Sequence, residues 1–282
     1  MKQSVTLRLF KVLPTCLLSR IAGVAARIPL PQPIMKALIS WYSKRYGVSE
    51  EYEIPPQGFR TFDEFFTRRL KKGARAVART PLAVVSPVDG RIQRYGAIEG
   101  STIIQAKGLT YTLDDLIPSP RAALFRGGAF MTLYLAPGDY HRIHAPLDGT
   151  ITGYFNIPGR LFTVQEWMVA RRPLLYARNE RIITYIETEA GTVAVCKIGA
   201  FNVGRITLSY CDERTNRLFR TRRERFFPAD GGVPVKAGDE IGVFHLGSTV
   251  ILLFQNNAVR FNQIARETTV RMGALIGTLI RR

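Results

Sequence analysis

The chain has 282 residues, room for one large domain or two modest ones, and 46% of them are hydrophobic, which excludes a disordered chain. Forty Lys and Arg stand against 22 Asp and Glu, a formal net charge of +18 that points to an anionic partner, either nucleic acid or an anionic membrane surface. Cys16, Cys196 and Cys211 are widely spaced with no Cys-x-x-Cys element, so neither a disulfide framework nor a cysteine-built zinc site is expected, and a reducing, cytoplasmic setting fits best.

The first 45 or so residues read as helices with an apolar side: Leu17, Leu18, Ile21, Val24, Ala25 and Ile28 recur at helical spacing, with Arg20 and Arg27 among them. Pro14 and the Pro29, Pro31, Pro33 cluster cut the region into short pieces. Arg8, Lys11, Arg20 and Arg27 interrupt every apolar run well short of the ~20 residues a spanning helix needs, so no transmembrane helix is expected. A signal peptide is not expected either, since its apolar core has to be uninterrupted. What remains is a basic amphipathic segment of the kind that lies in the plane of an anionic membrane interface. Ile34, Leu38, Trp41 and Tyr42 extend its apolar-aromatic character, with Lys36, Lys44 and Arg45 close by. The plainer alternative is that these helices cap the core of the catalytic domain.

Residues 50–60, with Pro55, Pro56 and Gly58, read as a linker. Thr61-Phe62-Asp63-Glu64 then reads as a capping box that opens a helix through Phe65, Phe66 and Leu70. A boundary near residue 58 divides the chain into a basic amphipathic, membrane-associating region with its linker (1–58) and a catalytic domain (59–282).

From residue 84 onward the pattern changes to short strands and glycine turns. Pro87-Val88-Asp89-Gly90-Arg91-Ile92 is repeated as Pro146-Leu147-Asp148-Gly149-Thr150-Ile151, and Asp-Gly between apolar positions is a turn signal. Two copies of one hairpin-like element suggest a pseudo-symmetric β architecture. Further strands are expected over 129–135, 182–187, 192–198, 203–209 and 241–254. The expected fold is α+β: a β-rich barrel or sandwich catalytic domain with N-terminal amphipathic helices.

Phe244-His245-Leu246-Gly247-Ser248-Thr249-Val250 reads as a strand–turn–strand corner. Ser248 there can act as an ordinary nucleophile, or its hydroxyl can attack the carbonyl of Gly247, a route that needs a backbone folded back on itself as glycine allows. The three histidines are His141, His144 and His245. His141 and His144 lack a third ligand at the usual spacing, and residues three apart on a strand face opposite ways, so no metal is expected. An imidazole serving as general base for Ser248, oriented by a carboxylate, is the better use; Asp89, Asp148 and Asp139 are the candidate carboxylates.

Six motifs follow one another across nearly the whole chain: Pro87-Val88-Asp89-Gly90, Gln105-Ala106-Lys107-Gly108, Asp139-Tyr140-His141-Arg142-Ile143-His144, Pro158-Gly159-x-Leu161-Phe162, Ala177-Arg178-Asn179-Glu180-Arg181 and Leu246-Gly247-Ser248-Thr249-Val250. In these motifs and in their order the chain resembles the bacterial phosphatidylserine decarboxylase proenzymes. The resemblance implies that Ser248 attacks the carbonyl of Gly247, that the ester undergoes β-elimination, and that loss of ammonia leaves an N-terminal pyruvoyl group on residue 248. It implies a β chain of residues 1–247 and an α chain of residues 248–282, held as a heterodimer from one precursor. It implies that Asp89 and His144 are charge-relay partners of Ser248 in self-cleavage and that His141 serves proton transfer in the later decarboxylation. The pyruvoyl group is then the only cofactor, a Schiff base to the amine of phosphatidylserine acting as electron sink, with phosphatidylethanolamine as product. The expected location is peripheral, at the cytoplasmic side of the cell membrane.

A second basic-aromatic cluster (Arg214, Arg217, Arg220, Arg222, Arg223 and Arg225 with Phe219, Phe226 and Phe227) either touches headgroups or forms a solvated loop. Thr163-Val164-Gln165 stands where serine, valine and asparagine are usual in the family, and Leu252 replaces a frequent polar residue. Two other classes remain open. One is a serine hydrolase with an Asp89/His144/Ser248 triad and an intact Gly247–Ser248 bond. The other is a nucleic-acid-binding module, motivated by charge alone and ranked low because no recognised motif accompanies it; no nucleic-acid partner is expected.

Overall fold

The computed structural model describes residues 13–281 apart from Lys107, residues 202–204, Arg220 and Ala229, and gives the backbone of Ser248 without its side chain. Arg8, Lys11, Lys107, Arg220 and the start of the strand expected over 203–209 therefore lie outside the described residues. Among the described residues three helices come first: α1 Thr15–Ala25, α2 Gln32–Tyr46 and α3 Phe62–Phe66. The strands then run β1 Ala83–Val85, β2 Gly90–Ala97, β3 Thr102–Ala106, β4 Leu109–Thr112, β5 Ala129–Leu135, β6 Arg142–His144, β7 Gly149–Ile157, β8 Arg181–Thr188 and β9 Gly191–Gly199. They continue as β10 Arg205–Leu208, β11 Arg223–Phe226, β12 Val233–Val235, β13 Glu240–His245, β14 Ser248–Phe254, β15 Val259–Phe261, β16 Thr269–Val270 and β17 Leu275–Leu279.

The dominant sheet has nine strands in the order β11-β7-β8-β9-β14-β5-β2-β16, with β12 also paired to β7. A three-stranded sheet β10-β13-β6, another β1-β17-β15 and the hairpin β3-β4 pack around it. The sheets stay open instead of closing on themselves, so of barrel and sandwich it is the β-rich sandwich of an α+β fold that forms. Because β14 is covered on both faces, Val250 through Phe254 are all buried, and the strand reads as a continuous apolar run where a half-exposed strand would alternate.

The two Pro-x-Asp-Gly copies each open a long strand of the large sheet, β2 and β7. Neither aspartate closes a two-residue hairpin. Each instead accepts a distant backbone amide: Met272 N donates to Asp89 Oδ1 and Ala237 N to Asp148 Oδ1, both at 2.8 Å. The next residues, Gly273 (φ 86°) and Gly238 (φ 91°), donate to the carbonyls of Ser86 and Ala145, three positions before each aspartate. Val85 N to Pro146 O and His144 N to Pro87 O then tie one copy to the other. These matched bonds give the repeat a local two-fold character.

The corner at 246–247 is also realised. β13 ends at His245 in the three-stranded sheet and β14 starts at Ser248 in the nine-stranded one, so the chain changes sheets across two residues. The turn puts Leu246 at φ 86° and Gly247 at φ 25°, a conformation costly for an L-residue such as leucine.

α1 shows an inverted amphipathicity. Thr15 and Ser19 are buried, whereas Leu17, Ile21, Val24 and, just past the helix, Ile28 are all more than half exposed. α2 buries Met35 and leaves Ile34 and Trp41 outside. No helix among the described residues is long and apolar enough to cross a membrane. α2, α3 and the segment between them share a small core of Met35, Val48, Phe59 and Phe65. Thr61 caps α3 by accepting Glu64 N, but Glu64 Oε2 takes the amide of Arg60, not that of Thr61. The helix stops at Phe66, short of the expected Leu70.

Candidate active site

Gly247 and Leu246 line a cavity of about 440 Å³ walled by Tyr42 and Tyr46 of α2, Phe62 and Phe66 of α3, and Phe201. Ala22 of α1 closes one side, and Thr163, Val164 and Gln165 of the divergent motif reach the same space. Residue 248 is fixed at its edge by backbone pairing on both sides, opposite Leu135 of β5 and Gly199 of β9. A Cβ added at Gly247 would meet nothing within 4 Å. Glycine serves there for its backbone angles and not for room.

His141 lies behind the aromatic wall, completely buried, with its ring centroid 4.2 Å from that of Phe66. Its Nδ1 is 2.8 Å from the carbonyl of Asp139. A carbonyl only accepts, so Nδ1 carries the proton and Nε2 presents a lone pair. That Nε2 is buried and has no partner among the described residues. Burial first, then the nearby Arg68 cation, pushes the His141 pKa down to about 3, against the Asp139 carbonyl, which raises it.

His144 on β6 is held at both nitrogens. Nδ1–H donates to Gly238 O at 2.7 Å, and Nε2 accepts from the Tyr140 hydroxyl at 3.0 Å. Burial lowers its pKa, while the Gly238 carbonyl and the fields of Glu240 and Asp89 work the other way. Asp89 itself is gripped by Arg75, whose Nε reaches Oδ1 at 3.0 Å and whose Nη2 reaches Oδ2 at 2.5 Å. Arg75 also bridges to Glu51. Asp89 and His144 are thus brought into one region but not into a direct hydrogen bond. Asp139 turns its carboxylate to Ala136 N at 2.6 Å, and Asp148 is at the surface with Lys236, so neither orients a histidine through its carboxylate.

His245 has the carboxylate that the sequence did not assign to it. Its Nδ1 sits 2.8 and 3.0 Å from the two oxygens of Asp63 on α3, and its Nε2 is 3.3 Å from Thr207 Oγ1. Arg68, Arg75, Tyr140 and Asp63 were all missed as site residues. The two arginines belong to a basic stretch, Arg68 to Arg75, in which no local pattern sets them apart from Arg69, Lys71 and Lys72. Only the position of Tyr140 inside the Asp-Tyr-His motif carried a local signal.

A family model described as phosphatidylserine decarboxylase matches residues 62–278. The chain is 43% identical to the phosphatidylserine decarboxylase proenzyme of Myxococcus xanthus (strain DK1622) over 282 residues, covering 99% of this chain and 100% of that one. It is 40% identical over 268 residues to the proenzyme of the same name from Vibrio cholerae O395, covering 93% and 94% of the two chains. With the Pseudomonas aeruginosa PAO1 proenzyme the identity is 40% over 272 residues, 93% of this chain and 92% of that one. The chain belongs to the phosphatidylserine decarboxylase family.

Proposed function

We infer that this chain is a proenzyme that cleaves itself between Gly247 and Ser248 and then converts phosphatidylserine to phosphatidylethanolamine and carbon dioxide. The observation that carries the reading is the sheet-changing corner: the Gly247–Ser248 bond follows two residues at positive φ, one of them a leucine, and opens on an aromatic cavity. The Ser248 oxygen adds to the Gly247 carbonyl and the peptide nitrogen leaves, giving an ester. Loss of the proton on Cα of residue 248 then expels the Gly247 carboxylate, and water replaces the nitrogen as ammonia to leave the pyruvoyl end. The β chain would be 1–247 and the α chain 248–282.

The residues present fit such a group. β14 is paired on both sides from its first residue, so the new chain end stays at the cavity after the cut. Once formed, a pyruvoyl group supplies an electrophilic carbonyl that engages the substrate amine and accepts the electron pair released with carbon dioxide. His144 takes the Ser248 proton at Nε2 in self-cleavage once the Tyr140 hydroxyl that occupies that nitrogen turns away, with Asp89 acting on it through its field, since Arg75 occupies the carboxylate. His141 moves a proton at Nε2 in the decarboxylation. The cavity wall of Tyr42, Tyr46, Phe62 and Phe66 excludes water from that step.

The region 1–58 associates with the anionic membrane that holds the substrate, at the cytoplasmic side, and 59–282 is the catalytic domain. α1 supports this division of labour, because its outward face is apolar while its Ala22 borders the cavity. The hydrolase alternative has no Asp89–His144 contact in its favour, and the family does not favour it either.

Intact masses under denaturing conditions, for the wild type beside Ser248→Ala, test the reading. Two fragments split after Gly247, the smaller reactive to a carbonyl reagent, are expected for the wild type, and one chain for the variant. A wild type that stays whole yet acts on ester substrates would overturn it.

A further inference from the structure

Arg68 is 4% exposed and has no carboxylate within salt-bridge distance among the described residues. A buried cation without a counter-ion is expensive, so its retention calls for a use. Its Nη2 donates to two consecutive carbonyls, Gly138 O at 2.8 Å and Asp139 O at 3.0 Å, and its guanidinium lies 5.5 and 5.3 Å from the ring centroids of Tyr52 and Phe65. The Asp139 carbonyl is the same one that takes the His141 Nδ1 proton. One oxygen therefore joins the buried cation to the imidazole.

We propose that Arg68 is a positioning residue for decarboxylation, one that fixes the Gly138–Asp139 carbonyls so that His141 keeps its proton on Nδ1 and an open acceptor at Nε2. Two effects act together. The shared carbonyl sets the tautomer and ring orientation, and the unpaired positive charge disfavours a second cation on the imidazole. Among the described residues no other group around His141 duplicates this. Asp139, in its own loop, spends its carboxylate on Ala136 N. Phe66 from α3 is uncharged, Phe244 from β13 contributes only its amide to the His141 carbonyl, and Tyr140 and His144 are bonded to each other. Arg68 spends Nη2 on the Gly138 and Asp139 carbonyls, the second of them shared with His141, so its route to the reacting atoms runs through His141.

The inference rests on the reading of His141 as the proton-transfer group, and the test separates the two. Histidine-15N-labelled wild type, Arg68→Gln and Arg68→Lys are titrated by NMR, which needs no activity, and decarboxylation is followed against pH in phosphatidylserine vesicles. The Gln variant is expected to raise the apparent pKa of His141, and the acid limb of kcat, by roughly one unit, with KM within about twofold. The Lys variant, which keeps the charge but not the paired geometry, is expected to hold the wild-type acid limb at a several-fold lower kcat. A Gln variant that titrates and turns over as the wild type does overturns the role of Arg68. If the Gln variant does not fold, the Lys variant decides alone, and a shifted acid limb or an unchanged kcat there overturns it. A wild type that forms no pyruvoyl end sinks the functional reading while leaving the His141 titration to report on Arg68.

Discussion

Lys197 on β9 is completely buried, and its Nζ is hydrogen-bonded to Thr184 Oγ1, which in turn meets the Tyr210 hydroxyl at 2.7 Å. Burial pushes its pKa down to about 7. An unfolded lysine titrates near 10.5, so between pH 10.5 and 7 the unfolded chain holds a proton that the folded one lacks. Stability accordingly falls as pH drops through that window, and the penalty is complete below about 7. Methionine fills a similar volume without the charge, and Thr184 and Tyr210 still satisfy one another. Lys197→Met should therefore be more stable than the wild type at pH 6, by something on the order of 1–3 kcal/mol and with a higher melting temperature, and the gain should be smaller at pH 10. Equal or lower melting temperatures at pH 6, read by thermal unfolding, would mean the buried amine costs the fold nothing.

The corner between β13 and β14 is held from outside by α3. Asp63 reaches across to His245, with Arg205 Nη2 3.8 Å from the same carboxylate, and the pair is mostly buried. It anchors the strand end immediately before Leu246 and Gly247, where the positive φ values are maintained. Releasing the anchor lets the corner relax and lowers the fraction of molecules poised for attack. Asp63→Asn should slow self-cleavage about tenfold, equal to ~1.4 kcal/mol, and the time course of intact mass after synthesis would show it; an unchanged rate would separate the clamp from the chemistry. The corner itself was legible in the sequence, because a glycine between two apolar runs has few other uses, and the strand over 129–135 is found at those residues. The partners of the site residues were not legible. Asp89 meets Met272 and Arg75, and His144 meets Gly238, through contacts that span up to 183 positions in the chain, which no local spacing encodes. The helix from Phe62 ran short for a similar reason: Thr67 Oγ1 bonds back to Asp63 O, and Arg68 turns inward to the 138–139 carbonyls.

At the scale of the whole molecule, the +18 charge and the outward apolar face of α1 both suit the anionic membrane contact proposed above. The helix is tied to the basic-aromatic loop by Arg20 Nη2, which donates to Arg217 O at 2.8 Å, and Leu218 and Phe219 beside that oxygen are 72% and 80% exposed. Phe226 of the same cluster packs under Arg121 and beside Tyr185 yet stays exposed, and only Phe227 is half-buried against the large core, so most of the cluster is at the surface. Each basic side chain near an anionic bilayer contributes about 1 kcal/mol, and an aliphatic side chain buried from water roughly 1.5–3 kcal/mol. The two contributions differ in salt dependence, since only the first is screened. The double variant Ile21→Ser, Val24→Ser alters residues on the outward face alone, so folding and self-cleavage should proceed as in the wild type. Its binding to phosphatidylglycerol vesicles should fall by about tenfold or more at every salt concentration, with the wild-type salt slope retained. Co-sedimentation at two ionic strengths reads both quantities. Undiminished binding would place the contact elsewhere on the basic surface, and a flattened slope would mean that the two serines had disturbed the charged part of the contact as well as the apolar one.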